Sequence, residues 1–224
     1  MIKISFIIPA WKSDKFIEEC LNSIQNQLAF KDSKIEYEIL VGIDGCQKTK
    51  DKLIQIKDKY KNLKVYWSPK NNGAYIMRNS LAQKSDGNIL LFFDSDDTLN
   101  PNAIETILKH LENEKTEIIR FKYNKNKYAN GVFCITKEAF EKMGGFNNWL
   151  CKADREFHIK AKKHGFFYNN IPIIIMTYNH HKNQLTKLYK KNSLIRMEYA
   201  KQMKNKNYNW DIPIIPVTTQ LIIL

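Results

Sequence analysis

Strand-length apolar runs alternate with stretches of helical periodicity through the first half of the chain, and that alternation limits the folds open to it more than any other feature. Lys3 to Pro9, Tyr37 to Ile43, Lys64 to Ser68 and Asn88 to Phe93 read as strands. Between them, Lys15 to Leu28, Lys50 to Tyr60 and Ala74 to Lys84 read as helices; in the first, Phe16, Ile17, Cys20, Leu21, Ile24 and Leu28 share a face. Successive βαβ units of this kind specify an α/β fold with a Rossmann-like, mainly parallel central sheet flanked by helices. Their crossovers are right-handed, and ligands of open α/β sheets collect beyond the carboxyl ends of the strands. Asp44 and Gly45 end the second strand, and Asp94, Asp96 and Asp97 follow the fourth in FFDSDD.

Three carboxylates within four residues are costly at a strand end, because like charges a few ångströms apart raise one another's pKa. A divalent cation relieves that cost. Mn²⁺ or Mg²⁺ prefers oxygen ligands, takes one or two carboxylates, and fills its remaining positions with water and phosphate, so the cluster predicts a metal-bound diphosphate. Asn100 and Pro101 read as the N-cap and first position of a helix to about Glu114, which releases the aspartates from capping.

The second half is less regular. A strand is expected near Glu117 to Tyr123, a polar loop over Asn124 to Asn130, a short strand at Val132 to Thr136, and a helix at Lys137 to Met143 that Gly144 and Gly145 break. Asp154 to His164 reads as a helix, Ile171 to Tyr178 as a buried strand, and Lys187 to about Lys204 as a basic helix. The expected division is one domain over 1–186, with a nucleotide-binding half to residue 100 and a catalytic half after it, then a basic helical appendage and apolar tail over 187–224. Cys20, Cys46, Cys134 and Cys151 lack any C-x-x-C spacing, which points away from zinc and disulfides and toward a reducing cytoplasm.

The net charge of +13 favours an anionic partner, and between Lys182 and Lys206 eight Lys/Arg face a single acid, Glu198. The apolar tail, with Pro213 and Pro216 against a helix, is either a final strand or, beside the basic helix, a peripheral contact with an anionic membrane face. No run reaches the roughly 20 apolar residues of a membrane span. A cytoplasmic location, at most peripheral at the inner membrane face, is expected.

Six collinear stretches between residues 3 and 186 resemble the family 2 glycosyltransferases of the GT-A fold: SFIIPAW, YEILVGIDGC, NNGAYIMRN, FFDSDD, KADREFHIKAKKHG and YNHHKNQLT. Three positions depart from the family pattern: Ile43 precedes Asp44 where a second aspartate is usual, Ala153 stands for a glutamate, and Asn179 for an arginine. The resemblance implies a metal-dependent, inverting transfer of a sugar from a nucleotide diphosphate, UDP-linked by preference, to a hydroxyl of a glycan or other acceptor. It implies Asp154 as the general base, with Glu156 a competitor two positions along. Asp96 is the expected direct metal ligand, joined by His181, although the motif alone separates His181 from His180. Asp94 is expected toward the ribose or the hydrated metal, with Ser95 beside it in the donor site and Asp97 in support.

For the base of the donor, the resemblance gives Asp44 as acceptor of its N–H, with Pro9 and Ala10 lining the pocket. Asn71 and Gly73 shape the next loop, and Arg78 offers its guanidinium to phosphate or base. Trp11 and Trp149 are either core or stacking platforms. A nucleotidyltransferase would place a glycine-rich phosphate loop after the first strand, where Ile8-Pro9-Ala10-Trp11 offers none. Two rivals keep a foothold: a nucleic-acid-binding or modifying protein, disfavoured but prompted by the charge, and an inactive glycosyltransferase-like binding module, prompted by Ala153 and Asn179.

Overall fold

The computed structural model describes residues 2–31, 35–111, 115–181, 184, 193–211 and 218–224. In chain order its elements are β1 (Ile2–Ala10), α1 (Ile17–Gln25), β2 (Ile35–Asp44), α2 (Gln47–Ile56), β3 (Leu63–Ser68), α3 (Ala74–Lys84), β4 (Ile89–Phe92), β5 (Thr98–Leu99) and α4 (Ala103–Leu111). Then follow β6 (Ile118–Asn124), β7 (Lys127–Thr136), α5 (Lys137–Lys142), α6 (Ala153–Lys163), β8 (Tyr168–Ile174), β9 (Met176–Thr177), α7 (Ser193–Lys204) and β10 (Ile222–Ile223). One sheet runs β10-β3-β2-β1-β4-β7-β6-β8, and a short ribbon pairs β5 with β9. Four of the seven pairings in the large sheet are parallel: β1 with β2, β1 with β4, β2 with β3, and β6 with β8.

The central strands read as continuous apolar runs because helices cover both faces. Along β1, Ile4, Phe6 and Ile8 point into one core layer with Cys20, Leu21 and Ile24 of α1 and Leu53 of α2. Ile7 points into the other, with Leu40 of β2, Met77 and Leu81 of α3, Phe140 of α5 and Phe157 of α6. Phe146 fills the centre of this second layer, its ring within 4.9–6.1 Å of Phe92, Phe133, Phe140 and Phe157.

Two expectations change in the structure, and a third, left open, is decided. The polar stretch over 124–130 is no loop: β7 begins at Lys127, and the chain reverses at Lys125 and Asn126 into a hairpin with β6. Lys125, Asn126 and Lys127 are exposed at the hairpin turn, so apolar periodicity did not reveal them. The helix after Pro101 starts at Ala103, and Asn100 does not cap it through its side chain; its amide donates instead to the Ile174 carbonyl at 3.0 Å, and its N–H to Ile175 at 2.8 Å. A contact with the distant end of β8 outbids the local cap. Of the two fates open to the apolar tail, the structure takes the strand: β10 pairs with Tyr66 and Trp67 of β3, and Leu224 N–H donates to Val65. The first part of the expected basic helix, 187–192, lies outside the described residues. No helix among the described residues is long and apolar enough to cross a membrane.

His158 ties α6 to β7 and β8. Its Nε2 lies 3.1 Å from the Asn130 carbonyl of β7 and its Nδ1 2.9 Å from the Tyr168 hydroxyl of β8. Burial, with the Arg120 charge in second place, pushes this imidazole down to about 3. A histidine whose folded pKa is depressed contributes stability present above its unfolded pKa, near 6.5, and lost as pH falls toward 3. Chemical unfolding between pH 6.5 and 4 is therefore expected to show a steeper acid loss in the wild type than in His158→Asn, by about 1.4 kcal/mol per pH unit; parallel curves would contradict this.

Candidate active site

The carboxyl ends of β1, β2 and β4 gather the residues singled out in the sequence. Pro9 and Ala10 close β1, buried and in register with Gly42 and Ile43 of β2. Asp44 ends β2, 2% exposed, and its two carboxylate oxygens accept the N–H groups of Asn72 (2.7 Å) and Gly73 (2.9 Å). Burial raises its pKa and those two N–H groups pull it back. Asn71 Nδ2 donates to the Asp44 carbonyl at 3.2 Å. The turn needs a glycine at 45: φ is +68°, and a Cβ there would come within 2.5 Å of the Asn71 nitrogen. Asp44 therefore builds the Asn71–Gly73 loop, and Gly73, with φ +93°, turns that loop into α3.

Each residue after β4 has its own partner. Asp94 accepts from Arg78 Nη2 at 2.5 Å; the arginine is 3% exposed, among the rings of Tyr75, Phe92 and Phe146. Arg78 thus braces an aspartate, a partner the sequence did not indicate. Ser95 Oγ lies 2.6 Å from Ser13 Oγ, and Ser13 N–H donates to Thr49. Asp96 pairs with His181 Nε2 at 2.8 Å, and the His181 ring stacks on Phe16 with centroids 4.4 Å apart. Asp97 is fully buried and accepts the Asn179 N–H at 3.0 Å. Burial, then the charges of Asp94 and Asp96, pushes Asp97 up to about 8, and burial followed by Asp94 raises Asp96 against the pull of His181.

Two buried polar atoms at this cluster, Asp97 Oδ2 and His181 Nδ1, take no hydrogen bond among the described residues. Among the described residues no three or more His, Cys, Asp or Glu side chains converge as a complete metal cage. The donor set of Asp96 and His181 fits a divalent ion that keeps few protein ligands and completes its shell from water and phosphate.

Asp154 lies in the first turn of α6, half-buried, where Oδ1 accepts from the Tyr75 hydroxyl at 3.0 Å and from Arg155 N–H at 2.8 Å. Glu156, its competitor, is fully buried against Tyr208, whose hydroxyl is 3.4 Å from Oε1. That burial removes Glu156 from any open site. Ala153 is packed in the core beside Phe157, which explains a small apolar residue there. Trp149 stacks on Tyr199 of α7 at 4.5 Å, and Trp11 carries Lys12 over its ring at 4.2 Å. Among the described residues Lys12 and Lys152 are the non-glycines in the left-handed region, at φ 55° and 67°. One follows Ala10 and the other precedes α6, and strain of this kind gathers at functional sites.

The family model described as Glycosyl transferase family 2 matches residues 5–215. The chain belongs to that family. Over 126 residues it is 32% identical to the poly(ribitol-phosphate) beta-N-acetylglucosaminyltransferase TarS of Staphylococcus aureus, covering 54% of this chain and 21% of that protein. Over 105 residues it is 36% identical to the poly(ribitol-phosphate) beta-glucosyltransferase of Bacillus spizizenii, covering 46% of this chain and 16% of that one. The matches thus span about a fifth of the length of these relatives. TarS residues 1–349 in complex with UDP-GlcNAc superposes with a TM-score of 0.71 at 19% identity, covering 88% of this chain and 66% of that one. The mannosyltransferase PcManGT of Pyrobaculum calidifontis, in complex with GDP-Man and Mn²⁺, gives 0.76 at 14% identity over 94% and 67%. These two share the fold.

Sequence reasoning missed Tyr75, Asn79, Ser13 and Phe16. Asn79 exchanges two hydrogen bonds with the Phe146 backbone, at 2.8 and 2.9 Å, so the adjacent Arg78 and Asn79 of the family segment fasten α3 to two different parts of the site. The structure rather than the sequence marks them: α3 buries Arg78, Asn79 and Ser80 where an ordinary surface helix would bury an apolar stripe. Replacing Asp44 by Asn is expected to cost about 1.5–3 kcal/mol, the value of hydrogen bonds to a charged group. Hydrogen exchange should show lost protection at the Asn72 and Gly73 amides; unchanged protection there would contradict the loop-anchoring role.

Proposed function

We propose that the chain is a metal-dependent, inverting glycosyltransferase that moves a sugar from a UDP-linked donor to a hydroxyl of a glycan or polyol-phosphate polymer. The observation that carries this reading is the cluster at the end of β4, three carboxylates drawn together and countered from one side by Arg78 and from the other by His181. Such crowding suits a site whose remaining counter-charge arrives with its ligand.

Asp96 and His181 are the residues to hold the divalent ion, Mn²⁺ or Mg²⁺, with Asp97 behind them. When bound, that ion supplies Lewis-acid stabilisation of the departing diphosphate. Asp94, held by Arg78, is left to orient the ribose side of the donor. The Asn71–Gly73 loop and the ends of β1 and β2 shape the base pocket, and the lone pairs of Asp44 not used by Asn72 and Gly73 accept a uracil-type N–H. On the acceptor side Asp154 takes the hydroxyl proton as the oxygen attacks the anomeric carbon. A single in-line displacement inverts the anomeric configuration. The relatives named as poly(ribitol-phosphate) glycosyltransferases support a surface-polymer acceptor. A UDP-sugar complex among the structural neighbours supports the donor, and a neighbour holding GDP-Man and Mn²⁺ supports the metal.

A cytoplasmic enzyme working at the inner membrane face is part of the same reading. Leu194 and Met197 are exposed along α7 with Lys201 and Lys204, a pairing of apolar and cationic groups that suits an anionic headgroup layer.

Thermal unfolding with UDP, with and without Mn²⁺, tests the donor and metal assignment, because a ligand of the native state raises apparent stability by mass action. UDP is expected to stabilise the wild type more with Mn²⁺ than without, and Asp96→Asn to lose that Mn²⁺-dependent increment. An increment of full size in the variant would remove Asp96 as ligand.

A further inference from the structure

The geometry points to Tyr75 as the positioning residue for Asp154, and to α3 as the one rigid body that sets the base against the donor side of the site. This rests on the reading of Asp154 as the base. Tyr75 and Arg155 N–H both donate to Oδ1 of Asp154, and Oδ2 takes no hydrogen bond among the described residues. One carboxylate oxygen is therefore fixed and the other left to receive a proton. Tyr75 is suited to permanent donation: burial, with the Asp154 charge second, pushes its phenol well above the ordinary tyrosine value.

The neighbours of Tyr75 along α3 reach the other carboxylates. Gly73, at the N-terminus of the helix, donates its N–H to Asp44. Arg78, one turn beyond Tyr75, holds Asp94. Asn79 clamps the Phe146 backbone, on the segment that leads to α6. Asp44, Asp94 and Asp154 come from three separate parts of the chain, and one helix of eleven residues together with its N-cap glycine touches all of them. Tyr75 packs its ring on Phe146 at 5.5 Å, a contact phenylalanine would make equally well. The hydroxyl is the part that packing leaves unexplained.

Tyr75→Phe isolates that hydroxyl while keeping the ring. In a crystal structure of the variant, the Asp154 carboxylate is expected to leave its wild-type position while the Arg78–Asp94 pair stays. Turnover is measured with UDP-N-acetylglucosamine as donor and a ribitol-phosphate oligomer as acceptor. In that assay kcat should fall roughly ten- to a hundredfold, the cost of a misplaced reacting group, with donor KM unchanged. Asp154→Asn should lose about 10²–10⁴-fold, and the double variant should be no slower than Asp154→Asn alone, since residues acting as a unit are not additive. An Asp154 carboxylate that stays in place in Tyr75→Phe overturns the positioning role. So does a wild-type kcat in that variant beside an inactive Asp154→Asn, and in both cases the base survives. Wild-type turnover by Asp154→Asn would instead overturn the base itself. A Tyr75→Phe variant that loses melting temperature and donor affinity with Asp154 undisturbed would show a structural tyrosine only.

Discussion

Negative charge collected at the end of β4 is the constraint around which the rest of this structure is arranged. Asp94, Asp96 and Asp97 cannot all be ionised together at low cost, and each is handled differently: one by a buried guanidinium, one by an imidazole, one by burial and a backbone N–H. Each handler comes from a distant element. Arg78 is delivered by α3, His181 by the segment after β9, and the Asn179 N–H by the same segment. Removing a charge partner from a buried pair costs far more than the pair contributes to stability, so these contacts fix geometry more than they add stability.

That arrangement explains why α3 is a polar helix in an apolar layer. Its inward face carries Met77 and Leu81 against Ile7 and Leu40, which supply the burial, while Tyr75, Arg78 and Asn79 supply directed hydrogen bonds around it. The aromatic cluster about Phe146 closes off water from the guanidinium and so strengthens its grip on Asp94. The same Phe146 offers its backbone to Asn79. Core packing and site geometry are therefore one structure here, and a change in either is transmitted to the other.

The strands, the helices between them and the acidic strand end were legible because buried parallel strands are short apolar runs and because carboxylates after such a run have few structural uses. Asp44, Asp96, His181 and Asp154 all lie where motif order placed them, beside the named elements. What was not legible came from contacts between distant residues. Asn100 looks like a cap until Ile174, seventy-four residues along at the end of β8, takes its amide. The pairing of Arg78 with Asp94 is visible only in space. The β6–β7 hairpin hid because its turn, Lys125-Asn126, carries no glycine signal and the strand residues next to that turn are polar. Glu156, two residues from Asp154, looks equally catalytic in the sequence, and only the covering Tyr208 separates the two.

The central claim is that the acids after β4 hold a divalent ion against a nucleotide diphosphate. Anomalous diffraction at the manganese edge, from crystals soaked with UDP and Mn²⁺, addresses it directly. The account predicts a peak shared by Asp96, His181 and the diphosphate oxygens. Ordered UDP with no anomalous peak beside Asp96, or a peak at a different set of side chains, would contradict it.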